Sequence, residues 1–448
     1  MIQNILSIVI SLGVLITFHE FGHYYIARRC GVKVLRFSVG FGKPLYRYVN
    51  KAGTEFTLAM IPLGGFVRML DEREGGVPES LKDQAFNNKN VWQRIAIVAA
   101  GPIANFILAV VIYALVAMLG IQSVAPKVGD IVVNSPIAQT DIQAGDEIIA
   151  INGESVHSWE DVNLVLASLI GQTGSITVRY QTEGLSSQQE DVARLNAWLV
   201  GQEPSDLIGA FGLKPWRPQV EPLIDQVVEG GAAYRAGFLS GDRIFAANGE
   251  AIKDWSHIVA IVQASAGKMI SVDVERNGRE QNLSLTPNSR ELNGQLVGYA
   301  GIAVVPPKWD ESLIRERNYG LFSSFVYGME QTGKMIALTF GSIGKMIQGL
   351  ISVDNLSGPI TIAKVASASA ESGLQSFLKF MAYLSVSLGV LNLLPIPMLD
   401  GGHLLFFGIE AVRRKPVSEK IQNLAYRIGA SLLFALMAVA IFNDIARL

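Results

Sequence analysis

The segment His19-Glu20-Phe21-Gly22-His23 carries the side chains best suited to chemistry in this 448-residue chain. On a helix, His19 and His23 stand one turn apart and share a face. Two neutral imidazoles on one face are two ligands for a zinc ion, and Glu20 between them is placed to act as general base. The chain has only five histidines, so a chance match to this spacing is rare. A carboxylate and two imidazoles inside an apolar helix are costly unless they are used.

A catalytic zinc takes three protein ligands and leaves one position open. His157 and His257 fall in a repeated segment far along the chain and read as surface residues. The informative stretch is Asn392-Leu393-Leu394-Pro395-Ile396-Pro397-Met398-Leu399-Asp400-Gly401-Gly402-His403. Here two prolines break an apolar helix, which then presents a carboxylate. Such breaks are tolerated at membrane depth where they line a polar cavity. His19 follows about 27 Å of helix from the N-terminus at 1.5 Å per residue. Asp400 lies at the matching end of another apolar helix running the same way, so the two segments should meet at one level. Asp400 is the expected third ligand. His403 stays open, as a neighbour of the site or an alternative ligand.

The elements that must position these residues are apolar. Half of the chain is hydrophobic and 17% is charged, and mean hydropathy is +0.32. Met1–Phe18 and Ile95–Pro126 carry no charge, nor does Phe380–Leu399, and a further apolar stretch covers Ile421–Asn443. A bilayer core needs about 20 residues of helix. The pattern predicts four transmembrane helices, near 2–28, 95–120, 373–396 and 424–445. The N-terminal stretch lacks the basic start and small-residue cleavage site of a signal peptide, so it reads as a retained helix.

Arg28, Arg29, Lys33, Arg36, Lys43, Arg47 and Arg94 flank the first two spans, and Arg413, Arg414, Lys415 and Lys420 the last two. Both connections therefore read as cytoplasmic, both termini as outside, and 127–371 as extracytoplasmic. The net charge of −2 gives no support for a nucleic-acid partner. The single cysteine, Cys30, excludes an internal disulfide.

The extracytoplasmic segment repeats. Gly145–Trp159 and Gly241–Trp255 agree at eight of fifteen positions with an offset of 96 residues. That period is too long for a solenoid and predicts two tandem α+β domains. Each copy has a short strand, an Asn-Gly hairpin turn, a helix starting near Trp159 or Trp255, and a later strand. The copies resemble PDZ domains, which bind extended peptides by strand addition. The second copy keeps Ala236-Gly237 where the first has Thr140-Asp141. Beyond them, Leu321–Ser352 carries Glu330 and Lys334 one turn apart, which predicts an interfacial amphipathic helix within 308–370 rather than a fifth span.

The paired segments around His19 and Asp400, with a PDZ pair between them, are similar to the site-2 protease family over nearly the whole chain. The resemblance implies a zinc metalloprotease that cuts within or beside the membrane. Zn2+ would be held by His19, His23 and Asp400, with Glu20 as base and Asn392 on the substrate backbone. It also implies that 34–70 is a membrane-reentrant β-loop whose strand edge pairs with unwound substrate, with Thr57, Ala59 and Pro397 as further contacts, and that Asn355–Ile360 lies near the substrate path. Substrates would be single-span membrane proteins of the anti-sigma-factor type, and remnant signal peptides would form a second class. The enzyme would sit in a bacterial inner membrane among its lipids, PDZ pair in the periplasm and gating access.

The resulting division is 1–30 first span, 31–90 β-loop, 91–121 second span, 122–220 and 221–307 PDZ domains, 308–370 interfacial region, 371–403 third span, 404–423 cytoplasmic loop and 424–448 fourth span. The competing reading is a non-catalytic PDZ membrane scaffold, which leaves Glu20 and Asp400 unexplained.

Overall fold

Helix α1 (Ile2–Arg29) places Arg28 and Arg29 in its last turn, where cations complement the carbonyl end, and Gly31 at φ 73° ends it. The computed structural model describes residues 2–185, 187–202, 206–292 and 295–446. After α1 come two long strands, β1 (Val34–Val49) and β2 (Glu55–Met69). The loop between them is built by Asn50, whose side-chain oxygen accepts from the Ala52 and Thr54 amides.

The two strands do not form a plain hairpin. Gly40 and Gly42, at φ 89° and 90°, let β1 fold over. Residues 36–39 then pair with 65–68 on one side and with 55–58 on the other. Residues 55–59 pair again, on their far side, with 44–49. Four strand segments result, in the order 44–49, 55–59, 36–39, 65–69.

Helix α2 (Val91–Met118) starts at a capping box in which Asn90 and Gln93 satisfy each other's amides. It is the centre of the bundle. The first repeat copy follows, with helices α3 (Trp159–Leu169) and α4 (Leu207–Phe211), and the second has α5 (Ala232–Arg235) and α6 (Trp255–Ala264). Each copy contains a four-stranded antiparallel sheet of matching order. Strands Glu147–Ile151 and Arg243–Ala247 are 96 residues apart, as are the starts of α3 and α6. Asn152-Gly153 and Asn248-Gly249 all have positive φ, as a two-residue hairpin turn requires. Each copy has its own apolar core. In the first, Phe211 of α4 is fully buried among Ile148, Leu166 and Val178.

Helix α7 (Leu321–Ile347) buries Ser324, Gly328, Thr332 and Met335. Gly328 lies against the backbone of Val110 and Ala114 in α2. Glu330 and Lys334 are exposed, as are the apolar Phe322, Phe325 and Met329. Helix α8 (Pro359–Glu371) packs on α1, and α9 (Leu374–Leu393) on α2. The first repeat copy is tied to this bundle by Lys379–Glu160 (2.9 Å) and by Lys345 Nζ donating to the Ser168 carbonyl (2.5 Å).

The last two helices are α10 (Asp400–Arg413) and α11 (Glu419–Ala446). Helix α10 corrects the expectation of a loop from 404 onward. Gly401 and Gly402 let its first turn fold against the backbone of 393–397, and Phe406 and Phe407 bury its apolar face. Among the described residues, α2, α9 and α11 are long and apolar enough to cross a membrane. Helix α1, 28 residues long, packs along α2.

Candidate metal centre

His19 and His23 project from one face of α1 toward α2, and two glycines make the approach possible. A methyl group on Gly22 would overlap the Ala100 carbonyl of α2. One on Gly101 would overlap the His23 ring and crowd that of His19. The two helices therefore touch backbone to backbone, and both imidazoles, set edge to face at 86°, crowd against Gly101.

Asp400 opens α10 and reaches the same point. Its Oδ2 lies 3.2 Å from His19 Nε2 and 3.4 Å from His23 Nε2, and the two Nε2 atoms are 3.3 Å apart. For donors 2.0–2.2 Å from a tetrahedral zinc, neighbouring donors are separated by about 3.3–3.6 Å. The triangle thus has the size that one zinc ion requires. Asp400 Oδ2 is buried without a hydrogen-bond donor among the described residues. A buried carboxylate oxygen facing two imidazole nitrogens is satisfied by a shared cation. Both rings are also fixed from behind: His23 Nδ1 lies 2.9 Å from the Ile97 carbonyl, and His19 Nδ1 lies 3.3 Å from Asn105. The residues fit the metal.

Pro102 lies inside α2 close to this contact and leaves the Val98 carbonyl without its helical donor. The adjacent carbonyl of Ile97 is the one that meets His23.

Glu20 is buried beside the triangle. Gly65 of β2 lies against Glu20 Cγ and Ile16. The segment 65–69 is an edge of the folded sheet, so this edge runs past the base.

The remaining expected site residues separate. Thr57 and Ala59 are both buried; Thr57 lies in 55–58, which is paired on both sides, and Ala59 pairs with Pro44. β1 folds over at Gly40 and Gly42 against this segment, so neither residue lies on an outer strand. Pro397 packs against Gly429 of α11. Asn392 sits half-buried in the last turn of α9, and its amide makes no hydrogen bond among the described residues. His403 stands outside the triangle, its ring tilted against Phe407 and Tyr426 and its Nδ1 3.4 Å from the Tyr426 hydroxyl. His157 is exposed, and His257 is 3.4 Å from Glu250. The 355–360 segment is held at the far end of α11, where Gly358, Ile360 and Thr361 donate to Asp444.

A profile of peptidase family M50 matches residues 7–436. The chain belongs to this family, that of the site-2 proteases. It is a zinc metalloprotease by class. It is 44% identical over 447 residues to the regulator of sigma-E protease RseP of Salmonella typhimurium, covering 99% of both chains. Identity to RseP of Escherichia coli is 43% over 447 residues, again covering 99% of each. A putative zinc metalloprotease of Vibrio cholerae is 43% identical over 446 residues, at the same coverage.

Reading by sequence missed Gly101, Pro102 and Asn105 in α2. A signal was present: Gly-Pro inside the uncharged run Ile95–Pro126, followed three residues later by an amide, is unusual in a simple span.

Proposed function

We propose that this chain is an intramembrane protease in which His19, His23 and Asp400 hold zinc and Glu20 is the general base. The observation that carries the reading is the triangle of two Nε2 atoms and one carboxylate oxygen with sides of 3.2–3.4 Å. A bound zinc supplies Lewis acidity to the scissile carbonyl and to the attacking water. Glu20 takes the water's proton and delivers one to the leaving amine. Asn392, its amide free, orients the carbonyl or stabilises the developing oxyanion, a role worth about 3 kcal/mol in comparable sites.

A helical peptide bond is hidden by its own hydrogen-bond ladder, so the substrate must unwind before attack. Edge segment 65–69 of the sheet, beside Glu20, is where freed backbone groups can pair again. In this reading α1, α2, α9 and α11 are four spans, and the β-sheet and the metal centre lie toward the cytoplasmic face of a bacterial inner membrane. The two repeat copies are PDZ domains on the periplasmic side, and they admit substrates whose outer parts have been trimmed. The names of the relatives place those proteins in sigma-E regulation, and the same substrate class, a single-span anti-sigma factor, suits this architecture.

The test uses purified full-length protein in proteoliposomes with a single-span substrate whose helix is loosened by Gly or Pro. Cleavage should require zinc, stop with a chelator and be absent in Glu20→Gln. Chelator-resistant cleavage, or no zinc in the purified protein, overturns the proposal and favours the PDZ scaffold.

A further inference from the structure

We propose that Asn105 is the residue that fixes the tautomer and orientation of His19 for metal binding. This rests on the reading of His19, His23 and Asp400 as a zinc site. Asn105 is fully buried in α2, one turn beyond Gly101. Its side-chain amide lies 3.3 Å from His19 Nδ1, and its Oδ1 has no partner among the described residues.

The chemistry decides which amide atom belongs there. His19 Nε2 faces Asp400 and His23, so its lone pair must be free for the ion. A neutral imidazole then carries its proton on Nδ1, which is a donor and needs an acceptor. The amide nitrogen cannot accept, but the oxygen can. The two ends of an amide are assigned from their hydrogen bonds. A half-turn of the Asn105 amide puts Oδ1 on the His19 Nδ1–H and removes the orphaned acceptor. His23 shows the same arrangement, with its Nδ1 facing the Ile97 carbonyl at 2.9 Å. Helix α2 thus holds both rings, one through its main chain and one through Asn105.

Asn105 is itself anchored. Its carbonyl accepts from Ser385 Oγ of α9 at 2.7 Å, in a buried contact. Helix α9 leads through the proline break to Asp400. One residue therefore touches the element of the first ligand and the element that delivers the third.

The experiment measures zinc affinity of the full-length protein in detergent by chelator competition. Asn105→Leu keeps the branched shape but offers no acceptor, and should weaken zinc about 10–100-fold, as loss of such a partner does elsewhere. Asn105→Asp keeps the acceptor and should bind within a few-fold of wild type. Ser385→Ala loosens the α2–α9 tie without touching His19, and should lower Tm with affinity within a few-fold. Wild-type zinc affinity in Asn105→Leu, or equal weakness of Asn105→Leu and Asn105→Asp, overturns the proposal. If the variants fail to fold, 15N NMR of the zinc-loaded wild type decides: His19 protonated at Nδ1 supports it, and protonation at Nε2 overturns it. Wild-type protein that binds no zinc instead defeats the metal-site reading on which it rests.

Discussion

Arg94 and Glu410, 316 positions apart, form a two-pronged ion pair in which Arg94 Nη2 and Nη1 lie 2.6 and 3.2 Å from the two carboxylate oxygens. Both side chains are largely buried, and the guanidinium stacks 4.9 Å from the Phe407 ring centre. The pair joins the start of α2 to α10, the helix that opens with Asp400. Glu410→Ala should cost about 1–3 kcal/mol, the range for a charge-assisted hydrogen bond lost from a buried partner. Thermal unfolding in detergent checks the cost, and zinc affinity should fall with it because Asp400 loses its fixed platform.

Glu20→Gln and Asp400→Ala should separate base from ligand. The first keeps both imidazoles and Asp400, so zinc stays while turnover falls by about 100-fold or more. The second leaves two ligands, so zinc and activity are lost together. Metal content of each purified variant checks this. Stoichiometric zinc in Asp400→Ala would point back to His403, which the fold turns toward Tyr426.

Proline placed in the folded sheet should report which segments are edges. At Thr57 it breaks a doubly paired segment, and should destabilise the protein and slow all substrates alike. Across the exposed outer segment 45–48, alternate positions point their amides outward and should tolerate it. At Val67 it disturbs the edge segment beside Glu20, and should slow a helical substrate more than one loosened by Gly or Pro. Comparing rates on the two substrates checks each case.

Asp444 near the end of α11 accepts from the Gly358, Ile360 and Thr361 amides and from the Thr361 hydroxyl, and so caps α8 from outside it. Asn443 beside it donates to the carbonyls of Val353, Asp354 and Leu356. Asp444→Ala should release the start of α8 at a cost of about 1–3 kcal/mol. Hydrogen exchange at 358–362 should rise well before that of α2.

The sequence alone determined what helix and turn geometry dictate over a few residues. His19 and His23 share a face because a helix repeats every 3.6 residues. The Asn-Gly turns of the two copies follow from the left-handed φ those residues accept. The double proline stopped α9 and marked Asp400 as the next polar group. The tertiary structure decided the rest, because those contacts join residues far apart in the chain through packing. Gly22 and Gly101 bring α1 onto α2 only when both helices are present. Asn105 reads as one polar residue in a span until His19 stands beside it. Thr57 and Ala59 alternate like edge residues, but β1 folds over at Gly40 and Gly42 and pairs with their segment from both sides. Strand pairing and burial are set by the neighbour that arrives, and a local pattern does not name that neighbour.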